Sequence, residues 1–424
     1  MKTRNILFAA FAACCLIACS ESDVESPKDP YPQETPQEPA DTFPDGNIIP
    51  LKAKQKALIN PLNRFAYRSL QAVEAQNRKN PAEPEAVIYS PLSAAYLLGM
   101  LAEGAYGQTL TEILDVLGFG GTTTNEANEF FHAMLNNAPL LDSLVKVNIA
   151  NAIYVNKGYS LYETYRQKLK TFYKADSETL DFASPEAADR INEFAKKQTF
   201  GMISKVLEET NPSYVSYLLN AIYFEGSWTM PFDPKAAVQQ NFLLPSGEQK
   251  QVPMMYQEAV FEYGLGKKYD ALRLPYGNKT YEMIVVLPHR DGSLDETLQL
   301  LAEQAEIQVE WKSRNTIVML PRFTIESNLP LIKVLSSLGM PSVFDENICG
   351  LTKICKDIPL YVDMMKQVAR IEVTDQGTKA AAVTIGGVKV DSMPPTFIAN
   401  RPFVYIITER STGAIFFAGT YCGE

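Results

Sequence analysis

Side chains able to do catalytic chemistry are scarce in this 424-residue chain, which has two histidines, His132 and His289, far apart in sequence. A His-rich metal site is therefore excluded, and a Ser-His-Asp machine would have to use one of these two. Neither a Gly-x-Ser-x-Gly elbow, nor a phosphate-binding Gly-Lys-Ser/Thr loop, nor a dinucleotide fingerprint occurs. Gly118, Gly120 and Gly121 follow a helical stretch rather than a strand, so they read as punctuation. Of six cysteines, Cys14, Cys15 and Cys19 fall in the N-terminal segment, which leaves Cys349, Cys355 and Cys422. One bridge between Cys349 and Cys355 is open, but an odd count without regular spacing reads more simply as free thiols. No metal or cofactor is expected.

The elements around these residues point to one large domain behind a leader. Lys2 and Arg4 precede an apolar run from Ile6 to Ala18, the pattern of a signal peptide over residues 1–18. Its ending, Leu16-Ile17-Ala18-Cys19, resembles the bacterial lipobox, which implies lipidation of Cys19 and a place in a bacterial cell envelope, at the outer membrane or cell surface facing the extracellular space. Residues 19–50, with Pro27, Pro30, Pro32, Pro36, Pro39, Pro44 and Pro50, read as a stiff solvated tether, and a globular domain is expected over 51–424. Helical spacing of apolar residues predicts helices over Leu58 to Val73, Pro91 to Leu117, Leu161 to Phe172 and Ala187 to Lys197. Alternation predicts strands over Val147 to Val155, Tyr214 to Phe224, Tyr281 to Leu287 and Thr316 to Ile325, with Phe403 to Thr408 and Ala414 to Thr420 as a closing hairpin. A helix-rich first half and later strands without regular alternation argue for an α+β fold. The formal net charge of -10 gives no basic footprint for nucleic acid.

Several segments resemble the signatures of the serpin family, in that family's order. They are Ser90-Pro91-Leu92-Ser93, Leu101 to Ala105, Gly107-Gln108-Thr109, Ile191-Asn192 with Thr199 and Gly201, and Asn220 to Trp228 with Pro231-Phe232. Val252 to Met255, Leu287-Pro288, Leu320-Pro321-Arg322-Phe323 and Asn400 to Phe403 complete the set, and Asp375 to Thr384 resembles the hinge of inhibitory members. The resemblance implies a serpin fold, with a large mixed main sheet, additional sheets and an exposed reactive-centre loop over about 375–396. It implies a monomeric suicide-substrate inhibitor of serine-type, or cysteine, endopeptidases and not an enzyme, with a non-inhibitory binding protein of the same fold as the alternative. Trp228 would sit at the breach where the loop enters the sheet; Ser90, Ser93 and Asn220 would form the shutter beside it. The family commonly has His in that shutter where this chain has Gln367, which can donate and accept but does not titrate.

In the resembled mechanism the cleaved loop becomes a new central strand of the main sheet, and strand parity tests whether this loop could. Thr378, Ala380, Ala382, Thr384, Gly386, Val388 and Val390 share one face, whereas Lys379, Lys389 and Asp391 share the other. One face thus carries no charge, and Gly377, Thr378, Ala380, Ala381, Ala382 and Thr384 form a hinge of small residues. The family's loop length sets the scissile bond at Asp391-Ser392, bait for an Asp-preferring protease with a basic primary pocket. Val388, Lys389 and Val390 are alternative cleavage positions for elastase-like or trypsin-like enzymes.

Overall fold

The computed structural model describes residues 48–78, 84–378 and 394–423. Among them the helices are α1 (Ala53–Lys56), α2 (Ile59–Asn77), α3 (Pro91–Gly104), α4 (Gly107–Val116), α5 (Thr124–Asn137), α6 (Glu163–Tyr173), α7 (Pro185–Gln198), α8 (Leu294–Gln304) and α9 (Ile332–Ser337). The strands are β1 (Val87–Tyr89), β2 (Val145–Asn156), β3 (Asp176–Leu180), β4 (Ser216–Ser227), β5 (Val238–Leu243), β6 (Gln249–Leu265), β7 (Tyr269–Tyr276) and β8 (Tyr281–Pro288). They continue with β9 (Glu310–Pro321), β10 (Phe323–Pro330), β11 (Lys366–Val373), β12 (Gly377–Thr378), β13 (Thr396–Ile398), β14 (Phe403–Glu409) and β15 (Ile415–Tyr421).

Three sheets result. Nine strands follow the order β1-β15-β14-β8-β7-β6-β9-β13 with β5 on β6; β12-β4-β2-β3 form a second sheet and β10-β11 a third. The helix expected over Pro91 to Leu117 is two helices, because the chain turns at Ala105-Tyr106 and Gly107 takes φ +61°. The strand expected over Thr316 to Ile325 is likewise two: β9 ends at Pro321, and β10 leaves for another sheet.

Helix α3 is central because its sequence leaves no polar stripe. All its residues from Pro91 to Gly104 are buried, Pro91 opens it, and the Ser90 side chain accepts from the Ser93 amide at 3.2 Å as its cap. Residues of α3, β8, β14 and β15 fill the main core. A smaller second core joins Ile191 and Phe194 of α7 to Tyr154 of β2 and Tyr217 and Ala221 of β4. The β2-β4 layer is therefore covered on both faces, with Ile222 and Phe224 turned to the main core and Tyr217 and Ala221 to α7.

Candidate functional site

Strands β4 and β11 belong to different sheets and are not paired with each other. β4 is bonded to β2 on one side and, apart from its last two positions, Gly226 and Ser227, to no strand on the other; β11 is bonded only to β10. Between them lies a cleft of about 300 Å³, bordered by Asn220 and Ile222 of β4, by Gln367, Ala369 and Ile371 of β11, and by Ser90. Strand edges present unpaired amides and carbonyls, so this slot is a template for one more strand.

Its floor is the hydrogen-bonded group that includes Ser90. Gln367 accepts from the Ser90 amide at 2.7 Å and donates to the Ser90 carbonyl at 2.9 Å, while the Ser90 hydroxyl donates to the Phe416 carbonyl at 2.7 Å. The amide side chain thus bridges β11 to the start of α3 through both of its functions. Asn220 is not part of that bridge: it donates to Asn151 at 2.8 Å, and its Oδ1 is buried without a partner. The shutter expected as one network is therefore two, with the slot between them. Gln367→Ala should lower stability by about 1–3 kcal/mol, because it strands the buried Ser90 amide, whereas the Ser90 carbonyl keeps its bond from the Ala94 amide; a denaturant titration checks this.

At the upper end the loop's root is bound firmly. Thr374 and Gly377 exchange backbone bonds of 2.9 and 3.1 Å, closing a turn, after which Gly377 pairs with Ser227 and Thr378 with Gly226. Gly377 has φ +124°, and a side chain there would strike the Gly226 carbonyl oxygen, so this position requires glycine. Trp228 is 3% exposed; its indole donates to the Thr374 carbonyl at 2.9 Å and its ring stacks on Tyr276 at 4.3 Å. The Trp228 amide bonds the Gln376 carbonyl at 3.0 Å, and Phe232 bonds that of Asp375 at 2.8 Å. Arg322, between β9 and β10, adds an ion pair of 2.7 Å to Asp375. At the other end, Pro395 accepts from Ile317 and β13 pairs parallel with β9.

Sequence reasoning found Trp228, Ser90, Ser93, Asn220, Gln367 and Gly377, and the structure gathers them along this one slot. It did not find Arg322 with Asp375, or Tyr276 beneath Trp228, since pairing across such sequence separations leaves no local pattern. Ala380, Ala381, Ala382 and Thr384 of the hinge, the positions Val388, Lys389, Val390, Asp391 and Ser392, and Cys19 lie outside the described residues. The histidines stand apart from the slot: His132 is 3.2 Å from the Phe172 carbonyl and His289 3.2 Å from Asp270. Among the described residues no disulfide joins Cys349, Cys355 or Cys422, and burial pushes the Cys349 thiol above its usual range.

A family model described as "Serpin (serine protease inhibitor)" matches residues 60–423. Neuroserpin of Gallus gallus is 33% identical over 355 residues, covering 80% of this chain and 86% of that protein. Among solved structures, the thermophilic serpin tengpin in its native state superposes with a TM-score of 0.77 at 26% identity, covering 87% of this chain and 94% of that one. Human thyroxine-binding globulin, complexed with its hormone, gives a TM-score of 0.74 at 25% identity over 87% of this chain and 98% of that one. The likeness runs from the first long helix to the last strand, and the chain belongs to the serpin family, most of whose members are protease inhibitors rather than enzymes.

Proposed function

We propose that this protein is a suicide-substrate inhibitor of serine-type endopeptidases, in which cleavage of the loop near Asp391-Ser392 lets the amino-terminal part of the loop enter the slot between β4 and β11. The observation that carries the reading is the pairing of Gly377 and Thr378 with the top of β4, directly above an otherwise unpaired edge. A strand already begun has only to be extended.

Register supports it further. Each step along the loop is a step back along β4, so Ala380 would come opposite Phe224, Ala382 opposite Ile222 and Thr384 opposite Asn220. The Thr374-Gly377 bridge sets the other side, with Ile371, Ala369 and Gln367 as the respective partners. All of these neighbours except Asn220 are buried, and Phe224, Ile222, Ile371 and Ala369 belong to the main core. The uncharged face of the loop is thus the one that would turn inward, and the Thr384 hydroxyl would meet the unpartnered Oδ1 of Asn220. Roughly a dozen ladder hydrogen bonds at about 1 kcal/mol each give on the order of 10 kcal/mol, comparable with the stability of a whole domain and enough to distort a trapped enzyme.

Asp391 is the bond assigned to an Asp-preferring protease, with Val388, Lys389 or Val390 serving elastase-like or trypsin-like ones. Cys19 would carry the lipid that anchors a monomeric inhibitor to a bacterial envelope, and the Pro-rich segment would hold it away from the surface. Incubating the chain with Asp-specific, elastase-like and trypsin-like proteases tests the reading. An SDS-stable complex with one of them, mass-mapped to a cut within 388–392, is expected. Plain cleavage by all three without a complex would favour a non-inhibitory binding protein.

A further inference from the structure

The mouth of the slot carries a carboxylate on each of its two walls. On β4, Ile222 and Phe224 face the main core, which turns Glu225 to the outer side. On β11, Gln367, Ala369, Ile371 and Val373 are buried, and Glu372 between the last two is turned outward. Both glutamates therefore border the slot on the same face and at the same height, one step below the point where the described chain stops at Thr378. Among the described residues neither makes an ion pair. Glu225 accepts from the Tyr223 hydroxyl at 2.7 Å. The nearby cations are otherwise engaged: the Lys146 ammonium lies 3.3 Å from the Phe200 ring centroid, and Arg370 bonds Glu326 at 3.2 Å.

The residue that follows Thr378 is Lys379. Continued by one step, the pairing of Thr378 with Gly226 sets Lys379 opposite Glu225, and the Thr374-Gly377 bridge sets it opposite Glu372. We infer that Glu225 and Glu372 are a receiving pair for Lys379, which fixes the first inserted residue in register on the outer face. This rests on the insertion proposed above. Directly opposed residues on adjacent strands bring their Cβ atoms to about 4.5–5.5 Å, so a single ammonium would bridge the two carboxylates from the slot side, opposite the place of Lys146, the register partner of Glu225 on β2. A strand slipped by one residue would instead bring Ala380 to the outer face and turn the Lys379 charge toward the core. The ion pair therefore favours the one register that keeps the small residues inside.

Thermal midpoints of the chain, intact and after a cut within 385–392, test the inference without knowledge of the natural target. In wild type, cleavage should raise the midpoint. Lys379→Glu should leave the intact midpoint unchanged, give a smaller rise on cleavage, and lower the ratio of covalent complex to cleaved product about three- to tenfold at low salt. High salt should narrow that gap. Combining Lys379→Glu with Glu225→Lys should recover much of the rise. A wild-type rise matched by Lys379→Glu would overturn the receiving pair and leave insertion standing. No rise in wild type would remove insertion itself, and the pair with it.

Discussion

Ala382→Arg should convert the protein from inhibitor to substrate: the loop is still cut, but the SDS-stable complex falls at least about 100-fold. In the register set by Gly377 and Thr374, residue 382 comes between Ile222 and Ala369, which are 8% and 4% exposed. A guanidinium there would be buried without a carboxylate, at a cost of several kcal/mol. Trapping is a race between insertion and hydrolysis of the acyl-enzyme, and each 1.36 kcal/mol added to the insertion barrier slows it about tenfold. Cleavage itself should keep its rate, because residue 382 lies well upstream of the bait at 388–392. Unchanged complex formation would mean that residue 382 does not enter the sheet on its core face.

Trp228→Ala should produce the largest loss of stability, about 3–5 kcal/mol, read from the denaturant midpoint of the uncleaved protein. The indole is buried, stacks on Tyr276, meets Phe232 edge-on at 6.3 Å, and holds the Thr374 carbonyl. Truncation leaves a cavity beneath the root of the loop and removes the donor to its turn. Trp228→Phe separates the two effects: most of the packing stays, the hydrogen bond goes, and the loss should be about 1–2 kcal/mol. A loss below about 1 kcal/mol for the alanine variant would show that Arg322 and the backbone bonds of Gln376 and Asp375 hold the root unaided.

Much of the fold was legible because helices and strands write their periods locally. Residues 59–77, 145–156, 216–227 and 403–421 carry apolar spacing that any burial of one face requires, and their elements fall where that spacing sets them. The breaks were harder to read. Helical spacing by itself runs on from Pro91 to Leu117, and only Gly104 and Gly107, with the family resemblance of that stretch, mark the turn at Tyr106; the resemblance of Leu320 to Phe323 to a family motif does not say that one strand ends there and another begins in a different sheet.

The functional part divides in the same way. Alternation alone determined that the loop has a charge-free face and a face with Lys379, Lys389 and Asp391, since neighbouring residues of a strand must point to opposite sides. The order of the motifs determined the family. Only the tertiary structure decided that β4 and β11 stand apart and that Gly377 and Thr378 already pair beside the opening. It also decided that Gln367 bridges to Ser90 rather than to Asn220, and that Glu225 and Glu372 flank the entry. The reason is separation in the chain: period and composition are local properties, whereas a register between residues 150 positions apart is chosen by the packing of everything between them.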